Sequence, residues 1–222
     1  MVSSVCRGQY SNHQLYQAYI EQDVSSWGEY IAQMDWDSLS VEEKKQLLNY
    51  EYGYTAVALG GEKAHAKSVL QRYEQHLEAL KKEITEAKYY SYLASVYTYQ
   101  LALDKSQLMK YAKGIYSNIE RAMELNPNDP FVLSMQGNVE FYSPFGSKKI
   151  ALAYFQKADS LYDVAGADYE RWNRRAVQMT YIHCLNKQRK KDDAKALCAK
   201  LLAEEPSNVN FQQLLEELHA TN

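Results

Sequence analysis

Apolar residues recur at spacings of three and four along nearly the whole chain, and each run ends at a short polar or Gly/Pro-containing break. This periodicity predicts an all-helical protein of about eleven helices joined as a string of hairpins. The first runs from Ser11 to Gln22 with Leu15, Tyr16, Tyr19 and Ile20 on one face, and Asp23 caps a short second helix carrying Trp27, Tyr30, Ile31 and Met34. Ser40 followed by Glu43 reads as a capping box for a long helix ending at Gly60 and Gly61. Further helices are predicted over Glu62–Lys82, Thr85–Leu103 and Lys105–Leu125. Asn126, Pro127, Asn128, Asp129 and Pro130 make the clearest break, because neither proline continues a helix. Beyond it the pattern predicts Asp129–Tyr142, Ser147–Leu161, Ala167–Leu185, Lys191–Glu204 and a closing helix over Asn208–His219.

Composition strengthens this reading. Four prolines and nine glycines in 222 residues amount to about half of average usage, too few for a turn-dense β chain. No tract rich in glycine and serine divides the chain, so residues 11–222 read as one domain. No run of 18 apolar residues provides a membrane-spanning helix. Residues 1–10 resemble the end of a bacterial signal peptide, with small side chains at Cys6 and Gly8 before Gln9, or else form a disordered N-terminus. Export to the periplasm is therefore slightly favoured over a cytoplasmic location.

The second helices of successive hairpins share a pattern. Gly137, Ala151, Phe155 and Ala158 form the cleanest unit; Ala122, Leu125 and Pro127 precede it, and Ala194, Cys198, Leu201 and Pro206 follow. In this the chain resembles the tetratricopeptide repeat family, over about Tyr90–Glu205 and clearest within 90–206. The units depart from the family where its early tryptophan is expected, since Tyr99, Leu133 and Gln178 stand there. Ala122 and Ala158 are 36 residues apart and Ala158 and Leu201 are 43 apart, against about 34 in the family. The resemblance implies an α-solenoid, a right-handed stack of antiparallel helix hairpins, with 208–219 as a cap. It also implies a concave groove along the first helices, at Tyr97, Gln100, Phe131, Ser134, Asn138, Phe141, Met179 and His183. The Lys–Asn clamp with which some members hold a terminal carboxylate is absent, with Ser134, Ala176 and Thr180 at its positions.

Chemistry is harder to find. The five histidines form no HExxH pair, and no nucleophile elbow, phosphate-cradling glycine loop or Cys-x-x-Cys occurs. Cys184 and Cys198 read as buried thiols that a hairpin could bring together. A net charge of −3 offers no basic field for nucleic acid. The chain is therefore expected to be non-enzymatic, to hold no metal or cofactor, and to bind a protein or peptide partner in its groove. A glycan or small-molecule binder of the bacterial envelope is the alternative, and an unrecognised hydrolase or transferase the third reading. The most unusual number is 20 tyrosines against five phenylalanines and three tryptophans. Most are expected to fill space between helices, and a minority, Tyr97 first, to touch a partner.

Overall fold

A computed structural model describes residues 12–165 and 170–220. The possible signal-peptide segment, with Cys6, lies outside them. The described residues form eleven α-helices and no strand: α1 Asn12–Ile20, α2 Val24–Gln33, α3 Val41–Ala58, α4 Lys63–Ala79, α5 Glu86–Leu103, α6 Leu108–Leu125, α7 Pro130–Tyr142, α8 Lys148–Ala165, α9 Arg171–Lys187, α10 Lys191–Glu204 and α11 Val209–Ala220. The all-α class and the helix count are those the periodicity predicts. Among the described residues, no helix is long and apolar enough to cross a membrane.

The caps act as the sequence implies. Ser40 and Glu43 complete a reciprocal capping box at α3, so two otherwise unpaired backbone donors are satisfied. Asp129 accepts from the N–H groups of Phe131 and Val132, with Pro130 in the first turn of α7. Two turns follow a different rule. Gln22 and Arg189 adopt φ of 56° and 61°, the left-handed position after a helix that usually falls to glycine. Each closes its helix with paired backbone bonds: Asp23 N–H to Ala18 and Gln22 N–H to Tyr19 after α1, Lys190 N–H to Leu185 and Arg189 N–H to Asn186 after α9.

Sequence-adjacent helices pack together, α5 on α6, α7 on α8, and α10 on α9 and α11. The repeat residues lie at their contacts. Ala122, Ala151, Phe155, Ala158, Ala194, Cys198 and Leu201 are all buried. A Cβ on Gly137 would come within 2.7 Å of the Phe155 ring, so the missing side chain is what lets α7 and α8 approach.

The two ends of the chain also meet. In an open solenoid each unit touches its neighbours alone, whereas here α1 packs on α9. The Tyr16 hydroxyl donates to both Glu205 carboxylate oxygens at 2.7 and 2.8 Å. The Gln22 side-chain amide donates to Asn210 and Gln213. Glu205 is buried beside Arg175 at 3.2 Å and Arg171 at 3.1 Å. Burial pushes its pKa up, but hydrogen bonds from Tyr16 and Asn208 and the charges of Arg175 and Arg171 outweigh that and hold it below the usual carboxylate value. Burial and Glu205 push the Tyr16 phenol up to about 12.

A carboxyl with a depressed native pKa contributes stability that is complete above its unfolded pKa and is lost as pH falls through the native one. Glu205→Gln is therefore expected to melt below wild type at pH 7, with the gap closing at acid pH once native Glu205 protonates. Thermal melts of both proteins across pH check this; a gap independent of pH contradicts it.

The core is unusually aromatic. Trp172, at the start of α9, sits among Tyr19, Trp27, Tyr50 and Tyr52 with ring centroids 5.6–6.1 Å apart. Its indole N–H donates to Asn49 at 2.5 Å, and Asn49 donates to the Tyr92 hydroxyl at 3.0 Å. A Cβ on Gly53 would lie 2.4 Å from the Trp172 ring. Cys184 and Cys198 are buried free thiols, each pushed up to about 11 by burial.

Candidate functional site

One large cavity, of about 490 Å³, opens where α5 and α6 face α3 and α7. It exists because Ala56, Ala94, Ser95 and Ala112 line it, small side chains that satisfy helix propensity without filling the space between helices. Leu108, Ala112, Ile115 and Tyr116 form one wall, and their spacings of four, three and one place them on one face of α6. Met135, Asn138, Val139 and Tyr142 of α7, at spacings of three, one and three, form the facing wall, and Ser143, Pro144 and Phe145 of the α7–α8 turn complete the mouth. The Tyr116 and Ser143 hydroxyls, 2.6 Å apart, join the two sides.

The lining is electrically neutral, with no Asp, Glu, Lys, Arg or His among its residues. Tyr52 and Tyr99 contribute phenols that burial pushes far above the ordinary tyrosine value, so both remain protonated donors. The Tyr52 hydroxyl reaches Met135 Sδ at 3.3 Å and the Tyr99 hydroxyl the Tyr52 carbonyl at 3.0 Å. At the rim, Leu108, Tyr116, Tyr142 and Phe145 are exposed, Phe145 to 92%. Among the described residues, no group of three or more His, Cys, Asp or Glu is placed to hold a metal ion.

The eight residues assigned to a concave groove do not form one surface. Asn138 alone lines the large cavity; with Ser134 it also borders a small hollow of about 40 Å³ next to Trp172. Phe131 is a core residue at 1% exposure, its ring 4.6 Å from Tyr92 and 5.4 Å from Tyr52. Ser134 is buried and donates to the Phe131 carbonyl. Neither presents itself to a partner. Tyr97 and Gln100 point to the opposite side of α5, into a separate pocket of about 330 Å³ that also contains Glu74, Glu78 and Lys110. There the Gln100 amide donates to Glu74 at 2.6 Å, and the Tyr97 ring lies where a Cβ on Gly114 would be. Phe141 packs edge-on against Phe155 and Tyr142. Met179 Sδ accepts from the Tyr19 hydroxyl at 3.8 Å. His183 is partly buried, and that burial lowers its pKa.

The reason is geometric. A groove register transferred from about 34-residue repeats is not kept by units 36 and 43 residues apart. The cavity instead draws on a second helix, α6, and on a turn. One sequence signal marked it: Phe145, an aromatic inside the Ser143–Gly146 turn with no helical face to join.

No family model matches the sequence, and no curated protein does. Among solved structures, the HusA haemophore from Porphyromonas gingivalis is similar in fold, with a TM-score of 0.59 at 14% identity over 84% of this chain and 96% of that one.

Proposed function

We propose that the protein binds a flat, largely apolar small molecule of the porphyrin class in the cavity between α5, α6 and α7, as cargo. The observation that carries this reading is the lining itself: about 490 Å³ of space bounded by tyrosine rings and aliphatic side chains without a single charged group. That volume lies within the usual range for small-molecule sites, about 300–1,000 Å³. Fold similarity to a haemophore supports the porphyrin class.

The peptide reading finds less support. An extended peptide needs partners for its backbone groups, and Ser95, Thr98, Asn138 and Ser143 are the main polar side chains the walls provide besides phenols. A glycan, with a hydroxyl on nearly every carbon, meets the same shortage.

No imidazole, thiolate or carboxylate lines the cavity, and the Met135 thioether is engaged by the Tyr52 hydroxyl. Burial raises the pKa of the Tyr52, Tyr99 and Tyr142 phenols and so disfavours phenolate ligation. On this reading affinity therefore rests on ring burial rather than on an iron bond. Absorbance titration of the protein with haem and with metal-free protoporphyrin is expected to give one saturable site for each, with dissociation constants within about tenfold. Binding of neither ring overturns the proposal. Binding of haem alone overturns the apolar account of affinity.

A further inference from the structure

We propose that the mouth of this cavity is a docking surface for an anionic lipid bilayer. Leu108 and Met109 at the start of α6, and Phe145 and Ile150 around the α7–α8 turn, are exposed by 54%, 83%, 92% and 48%. Met109 and Ile150 are not part of the cavity lining, so a bound ring would leave them in water. Both segments border the same opening, across which Tyr116 and Ser143 join hands at 2.6 Å.

Charge identifies the occupant. Residues 105–113 and 143–150 contain Lys105, Lys110, Lys113, Lys148 and Lys149 and no Asp or Glu, in a chain whose net charge is −3. The nearest carboxylates in sequence are engaged locally, Asp104 with Ser106 and Glu140 with Gln136 and the Ser147 N–H. Lys110 turns to the Tyr97 pocket with Glu74 and Glu78, and Lys148 contacts the Phe141 carbonyl and ring, while Lys105, Lys113 and Lys149 are exposed. Protein–protein interfaces are depleted in lysine. An apolar tip ringed by lysines matches a bilayer, whose acyl boundary takes the apolar side chains and whose anionic headgroups take the ammonium groups. With no helix among the described residues able to span a membrane, such docking is peripheral. It would turn the cavity mouth toward the lipid, the phase into which an apolar ligand partitions.

The test is co-sedimentation of the full chain, without added ligand, with phosphatidylcholine vesicles that contain or lack phosphatidylglycerol. Partition onto the anionic vesicles is expected to exceed that onto the neutral ones by at least about tenfold and to fall with added salt. Met109→Asp with Ile150→Asp, and separately Lys113→Glu with Lys149→Glu, should each weaken it by about tenfold or more while melting temperature and porphyrin titration stay unchanged. Equal partition onto both vesicle types, no partition onto either (the outcome for a surface that docks a protein), or variants that bind like wild type would overturn the proposal. Failure here leaves the ligand reading standing, because Met109 and Ile150 lie outside the cavity.

Discussion

Trp172→Ala is expected to lower the unfolding free energy by about 3–5 kcal/mol, a large part of the ~5–15 kcal/mol that typically holds a domain together. Trp172 is 4% exposed and is the piece of α9 that enters the aromatic cluster of α1, α2 and α3. Its removal empties the centre of that cluster and deprives the Asn49 carbonyl of its indole donor. A buried amide left without its partner adds its own desolvation penalty. Gly53→Ala tests the same contact from the other side, since its Cβ would lie 2.4 Å from the rigid ring; a loss of about 1–3 kcal/mol is expected. In the Trp172→Ala background that second substitution should cost much less, because the closest ring is gone and only Trp27, 2.9 Å from the added Cβ, is left to yield. Urea unfolding of the four proteins in this cycle checks the argument. Additive losses, or less than about 1 kcal/mol for Trp172→Ala, would contradict it.

Ala112→Trp is expected to reduce porphyrin affinity by at least about a hundredfold, the equivalent of about 2.7 kcal/mol, with thermal stability unchanged or raised. Ala112 is partly exposed on α6, and the space before it is already empty, so a large ring can enter without displacing core atoms. Thr98→Trp, from the exposed face of α5 across the same cavity, should act alike. Tyr97→Ala should leave affinity intact, since Tyr97 lines the pocket on the other side of α5. Titration of each variant, paired with its melting curve, separates a filled site from a disturbed fold.

Local features were legible in the sequence because their causes are local. The Ser40–Glu43 box, the Asp129 cap before Pro130, and the Gly137–Phe155 fit between adjacent helices each depend on residues a short distance apart. The left-handed turns at Gln22 and Arg189 were not legible, because their side chains carry no glycine signature. Nor was the Trp172–Asn49 bond, which joins residues 123 positions apart. Tyr97, expected first to touch a partner, lines the pocket on the other side of α5. Tyr16, Tyr50, Tyr54, Tyr73, Tyr89, Tyr92, Tyr99 and Tyr162 are buried, whereas the exposed members at the cavity are Tyr116 and Tyr142. The cavity itself leaves no trace in a hydrophobic pattern. Ala56, Ala94 and Ala112 read as good helix formers, and a void is a property of what stands opposite them.

The central claim is that this cavity is the binding site. Its most direct test is backbone hydrogen exchange of the wild-type protein with and without metal-free protoporphyrin. The account predicts slowed exchange in residues 108–116 of α6 and 139–146 around the α7–α8 turn, where the lining is concentrated, and little change at 74–78 of α4 beside the Tyr97 pocket. Protection centred on α4, or none at α6 and the turn under saturating ligand, would contradict it.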